Sequence, residues 1–255
     1  DDTLDGGADI DTATYASATA GVTVNLAVIG AQDTVGAGTD TLAEIENLTG
    51  SGHNDTLTGD AGANIINGGD GDDSIQGGLG NDTLNGGNGT DTATYAGNAS
   101  AVTVDLSLTS AQNTVGAGTD TLVGIENLIG SSYNDTLTGG PNANTIDGGL
   151  GNDVMNGGAG IDTISYSLAS AAVTVNLSTT VAQNTVGAGT ATLSNFENIY
   201  ASAFNDTLTG SSIANQIEGN SGNDTINGGA GNDILYGGTG NDTYVFSVEI
   251  GRAHV

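Results

Sequence analysis

Acidic residues recur along this chain at nine-residue intervals, and most of them close a glycine-rich hexad. One series runs Asp55, Asn64, Asp73, Asp82, Asp91; a second Asp135, Asn144, Asp153, Asp162; a third Asp206, Asn215, Asp224, Asp233, Asp242. Asp2 and Asp11 are the stub of an earlier one. Seven hexads keep the pattern G-G-x-G-x-D without departure, beginning at Gly68, Gly77, Gly86, Gly148, Gly157, Gly228 and Gly237, with fourth residues Gly71, Gly80, Gly89, Gly151, Gly160, Gly231 and Gly240. Glycine permits positive φ and lets carbonyls close around a small ion. Aspartate adds a short, charged oxygen ligand. Calcium suits that donor set best, because it is a hard ion that takes six to eight oxygens at about 2.3 to 2.6 Å. Gly-Asp clusters are ordinarily turns, but seven hexads in register weigh against that reading. An EF-hand does not explain "DGDDSIQGGLGN", which lacks glycine at its sixth place and glutamate at its twelfth.

The elements that must position these residues follow from a second series. Two places after each ladder position the side chain is apolar: Leu57, Ile66, Ile75, Leu84, Ala93; Leu137, Ile146, Met155, Ile164; Leu208, Ile217, Ile226, Leu235, Tyr244. This predicts three-residue strands with the apolar residue inward and the residue before it, usually threonine, outward. The ladders are joined by copies of one spacer, such as "VTVDLSLTSAQNTVGAGTDTLVGIENLIGS". Each spacer opens on an alternating strand (Val22, Val24, Leu26 in the first) and closes on "ENL" or "ENI", whose last residue falls on the nine-residue lattice. Such spacing predicts an elongated all-β solenoid in which each coil packs only on its neighbours. We expect one continuous solenoid over 1–248, with ladders near 1–13, 50–93, 130–164 and 201–244 and spacers at 14–49, 94–129 and 165–200.

Composition agrees. One Lys or Arg stands against 30 Asp and Glu, a net charge of −29, and 36% of residues are hydrophobic, too few for an ordinary globular core of 255 residues. There is no cysteine, which excludes disulfides and thiolate metal sites. The near absence of cations argues against nucleic acid as a partner. No apolar run approaches a membrane span.

The hexads with their "NDTL" and "NDTI" continuations resemble the RTX, or haemolysin-type, calcium-binding nonapeptide repeats. The resemblance covers about half the chain and implies a right-handed parallel β-roll with two nonapeptides per coil, several bound calcium ions, and type I export to the cell exterior or surface. Residues 18 apart would then stack on adjacent coils. The implied metal pairs are Asp73 with Asp91 and Asp224 with Asp242. Asp55 with Asp73, Asp135 with Asp153, and Asp206 with Asp224 each join a better hexad to a degraded one ("GSGHND", "GSSYND", "ASAFND"). Asp82, Asp162 and Asp233 would face Asn64, Asn144 and Asn215, making weaker or empty sites. Asn81, Asn152, Asn223, Asn232 and Asn241 read as turn formers.

These readings point to a non-catalytic, calcium-folded module that stiffens and spaces other parts of a secreted or surface protein. His53 reads as a loop residue and not as a catalytic base. Two alternatives stay open. One is an ice- or glycan-binding surface on Thr56, Thr83, Thr92, Thr136, Thr163, Thr207, Thr225 and Thr243; the other is the non-catalytic part of a polysaccharide-modifying enzyme. Tyr15, Tyr95 and Tyr166 read as packing residues where the coil type changes. Open strand edges at the ends make end-to-end self-association an expected hazard. The sequence opens inside a repeat, which reads as a piece of a longer protein. Residues 249–255 break the repeat, and Ile250 to Val255 matches the translation of a common sequencing adapter, so this stretch is expected to be non-native.

Overall fold

The structure is a computed structural model that describes residues 1–246; the expected non-native tail at 249–255 lies outside the described residues. Among those residues the chain is all-β: short strands, mostly of three residues, and no helix. Thr56–Thr58 pairs in parallel with Ser74–Gln76, placing Leu57 beside Ile75. Ile65–Asp70 pairs in parallel with Thr83–Asn88, placing Ile66 beside Leu84. Consecutive nonapeptides thus alternate between two sheets, and each coil consumes two of them.

Stacking in this register turns the apolar series into columns. One ten-stranded sheet carries Val24, Leu57, Ile75, Ala93, Leu128, Ile146, Ile164, Ile199, Ile217 and Leu235 in order. The other side is built in shorter runs, among them Ala13, Leu48, Ile66, Leu84 and Leu122. Nearly all these side chains are fully buried and belong to one apolar cluster. A coil needs only one large apolar residue per strand because the residues above and below complete its contacts. That accounts for the low hydrophobic content.

The spacers leave the simple register. In the second, Thr103–Asp105 pairs forward with Thr136–Thr138 of the next ladder, whereas Thr119–Val123 and Asn127–Ile129 pair back with Thr83–Asn85 and Thr92–Thr94 of the ladder before. Between them Gln112–Asn113 runs antiparallel to Thr119 and Asp120. Each spacer therefore folds back on itself, wedging antiparallel pairing into an otherwise parallel structure; the first and third copies repeat the arrangement. At the hairpin tips Val35, Val115 and Val186 have φ of 59°, 62° and 63°. That conformation is strained for a β-branched residue. It is held by the side chains of Asp33, Asn113 and Asn184, whose oxygens accept the valine amide at 2.9 Å.

If the column is the core, Ile146→Ala, at a fully buried position, lowers the stability of the calcium-loaded protein by about 2 to 5 kcal/mol. Ile65→Ala, on the outer face at 47% exposure, changes it by less than about 0.5 kcal/mol. Denaturant unfolding in calcium measures both.

Candidate metal centres

The three glycines of a hexad answer different constraints. A Cβ on the first would collide with the hexad's own aspartate and, at Gly68, Gly86 and Gly157, also with a carbonyl of the next coil: at Gly68, with Asp73 Oδ2 and the Gly86 carbonyl. The second and fourth glycines take φ between 77° and 119° and between 119° and 146°, respectively, while passing close to backbone of the preceding coil. The second glycine, such as Gly69, Gly78 or Gly87, was not among the expected site residues, although its conformation is as demanding as the fourth's.

The expected 18-residue pairs do meet, through a specific hydrogen bond. In these pairs the amide of the earlier residue donates to the carboxylate of the residue one coil on: Asp55 to Asp73 (2.8 Å), Asp73 to Asp91 (2.8 Å), Asp135 to Asp153 (2.9 Å), Asp206 to Asp224 (2.7 Å), Asp224 to Asp242 (3.1 Å). Asn64, Asn144 and Asn215 donate in the same way to Asp82, Asp162 and Asp233. In each of these pairs Oδ1 of the later residue is engaged.

The second oxygen distinguishes two groups among the ladder aspartates. In Asp73, Asp82, Asp91, Asp162 and Asp224, Oδ2 is buried and has no hydrogen-bond partner. In Asp55, Asp135 and Asp206, at the degraded hexads, both oxygens are satisfied. A serine in the second hexad place, Ser51, Ser131 or Ser202, donates its amide and hydroxyl, and Val22, Val102 or Val173 donates an amide. At Asn64, Asn144 and Asn215 the carboxamide oxygen accepts an amide of its own turn, and Nδ2 donates to a spacer carbonyl. A donor group thus stands where the other positions offer only oxygen.

Several residues of this network were not foreseen. Asp40 and Asp120, in the first two spacers, continue the acid column: their Oδ1 accepts the amides of Asp2 and Asp82, and Thr34 and Thr114 donate to Oδ2. Ala191 takes the equivalent place in the third, opposite Asp153. The glutamates of "IEN" and "FEN" also join it, Glu46, Glu126 and Glu197 accepting the amides of Asp11, Asp91 and Asp162 at 2.8 Å. Each lies nine residues before a ladder acid, a spacing that was legible. The asparagines read as turn formers do more than turn: the side chains of Asn81, Asn152 and Asn223 accept amides one coil on, from Thr119, Thr190 and Asn241. Tyr15, Tyr95 and Tyr166 are buried where each spacer begins. The threonines lie outward or half-buried, in mixed columns: Thr83 stands between Ile65 and Thr121, and Thr136 between Thr103 and Val154. His53 is exposed.

Compared with known families, the chain matches the RTX calcium-binding nonapeptide repeat in four copies, over residues 49–84, 58–93, 129–164 and 209–244. The matched stretches are RTX calcium-binding nonapeptide repeats. The RTX matches fall on the ladders and leave most of each spacer outside them. No curated protein matches the chain.

The RTX nonapeptide binds calcium, and the residues present fit that ion. Buried carboxylate oxygens without a donor sit beside carbonyls of the next coil at the first glycine. Among the described residues no three acidic or histidine side chains gather in one place, so backbone carbonyl oxygens would have to make up much of any donor set, as calcium accepts. Without an ion the arrangement is costly. Burial raises Asp73 and Asp153 to about 7 and Asp82 to about 6, with neighbouring carboxylates adding to the shift and the amide bonds opposing it.

A carboxyl whose pKa is raised by folding favours the fold at low pH and loses that contribution as pH climbs through the folded value. In chelator, then, lowering pH from about 8 to about 5 increases strand content. Far-UV circular dichroism reads this directly; a flat response across that window would mean that the buried carboxylates do not limit the metal-free fold.

Proposed function

We propose that this chain is a calcium-dependent structural module that is disordered where calcium is scarce, folds where it is abundant, and then acts as a stiff spacer or presenting segment of a secreted or surface protein. The observation that carries the reading is the set of buried, unpartnered Asp Oδ2 atoms within RTX repeats. Removing a carboxylate from water without a counter-charge costs several kcal/mol even after relaxation. A cation held by the same oxygens offsets that cost, so binding and folding are one event. The residues that would hold it are Asp73, Asp82, Asp91, Asp153, Asp162, Asp224, Asp233 and Asp242, together with hexad carbonyls at Gly68, Gly71 and their equivalents. Asp55, Asp135 and Asp206 differ: their carboxylates are already satisfied, so they anchor the start of each ladder and contribute little to binding.

The strict period supports a single solenoid running through ladders and spacers, and a rod so built suits separation of domains better than enclosure of a substrate. Among the described residues the one histidine, His53, is exposed, and this, with the use of the regular acids in stacking, favours a non-catalytic role. The RTX character and the need for calcium support export through a type I channel and residence outside the cell.

Small-angle X-ray scattering on the chain in calcium and in chelator tests this function. The expected result is a thin rod of fixed length in calcium and a swollen coil in chelator. Identical curves in the two conditions would remove the proposed switch.

A further inference from the structure

The last aspartate before each spacer has no RTX coil above it, yet its surroundings repeat those of a ladder site. Asp91 and Asp162 are 0% and 1% exposed, and the Oδ2 atoms of Asp11, Asp91 and Asp162 are buried without a hydrogen-bond partner. Within a ladder such an oxygen sits beside the first-glycine carbonyl of the next coil, as Asp73 sits near the Gly86 carbonyl. At the junctions a spacer carbonyl takes that place. A Cβ on Gly6, Gly86 or Gly157 would meet the carbonyl of Glu44, Gly124 or Asn195, together with the aspartate.

Those three spacer residues differ in type but share one backbone conformation, with φ of 51°, 58° and 53°. Left-handed geometry is costly for Glu and only tolerable for Asn, so its recurrence marks a required carbonyl direction. Two residues later stands Glu46, Glu126 or Glu197, whose carboxylate accepts the amide of the junction aspartate, as the next aspartate does within a ladder. The neighbouring coil fixes the glutamate backbone. Asn64, Asn144 and Asn215 donate Nδ2 to the Glu46, Glu126 and Glu197 carbonyls at 2.6, 2.6 and 2.5 Å. This gives the asparagine of each ladder a purpose: a carboxylate there would have no proton to donate.

We infer that each spacer supplies half of a calcium site to the ladder before it. The half-site is the carbonyl of the left-handed residue plus the glutamate two places on, set against the unpartnered carboxylate oxygen of Asp11, Asp91 or Asp162. These sites lack the G-G-x-G-x-D pattern on the spacer side, and their glutamates lie outside the residues matched to the RTX repeat. They would tie spacer to ladder through the ion, so that a calcium-loaded ladder transmits its order into the spacer. The inference rests on the calcium-binding reading of the ladders.

The test compares the unaltered chain with the triple variant Glu46→Gln, Glu126→Gln, Glu197→Gln. Glutamine keeps an oxygen for the amide bond but removes the charge. Bound calcium per chain is measured by equilibrium dialysis with elemental analysis, and strand content by circular dichroism. The expected result is three fewer ions, one for each junction, with the calcium-induced strand signal retained. An equal ion count and affinity in parent and variant overturns the inference while leaving the ladder reading intact; a parent that binds no calcium defeats the ladder reading itself. Should the triple variant gain no strand structure in calcium, Glu126→Gln alone decides: one ion fewer supports the junction site, an unchanged count overturns it.

Discussion

A carboxylate buried without a counter-charge is the constraint on which the rest of this molecule depends. Each aspartate of an intact hexad gives one oxygen to an amide of the preceding coil, and at several levels the other is left with nothing. In a chain of charge −29, the described residues include no Lys or Arg to neutralise it. The glycines make the problem worse and solvable at once. By omitting Cβ they let carbonyl oxygens crowd beside the carboxylate, which excludes water and assembles a donor set for a hard cation.

The apolar column and the acid column then play complementary parts. Leu57, Ile75, Leu128 and Ile146 stack with essentially no exposure, but each coil buries only a small apolar area, a weak return against the backbone entropy of ordering 18 residues. In the function proposed above, the ion supplies what the column lacks, and it does so only where calcium is present. Positions where the acid is satisfied by Ser51, Ser131 or Ser202, or replaced by Asn64, Asn144 or Asn215, act differently. They begin each ladder with hydrogen bonds that need no metal, offering a starting edge on which metal-dependent coils can build.

Much of this was legible. The nine-residue period placed every ladder strand, because the inward residue two places after each acid is apolar and the turn between is glycine. Register came from the resemblance rather than the period, since a lattice of nine does not say how many units make a coil. The spacers resisted reading for a physical reason. Their strands pair forward and backward with different ladders, and such long-range choices leave no local mark beyond a hairpin whose tip, Val115, occupies a conformation that valine ordinarily avoids. Glu46, Glu126 and Glu197 sat on the lattice in plain view, yet glutamate in a strand-ending "EN" resembles any solvated charge until a buried amide is seen to depend on it. Asp40 and Asp120 were hidden for the same reason, lying within a spacer that no period organises.

The central claim is that cation binding, and not apolar stacking, decides whether the chain is folded. Far-UV circular dichroism during a calcium titration, with magnesium at equal ionic strength as the control, tests it most directly. Magnesium demands six ligands in a smaller, stricter octahedron and gives up its water reluctantly, so it should not occupy a carbonyl cradle of this kind. A cooperative change from coil to strand with calcium and none with magnesium is the predicted result. A chain already strand-rich in chelator at neutral pH, and unmoved by either ion, would contradict the account and leave calcium as an accessory to a fold that the apolar columns hold alone.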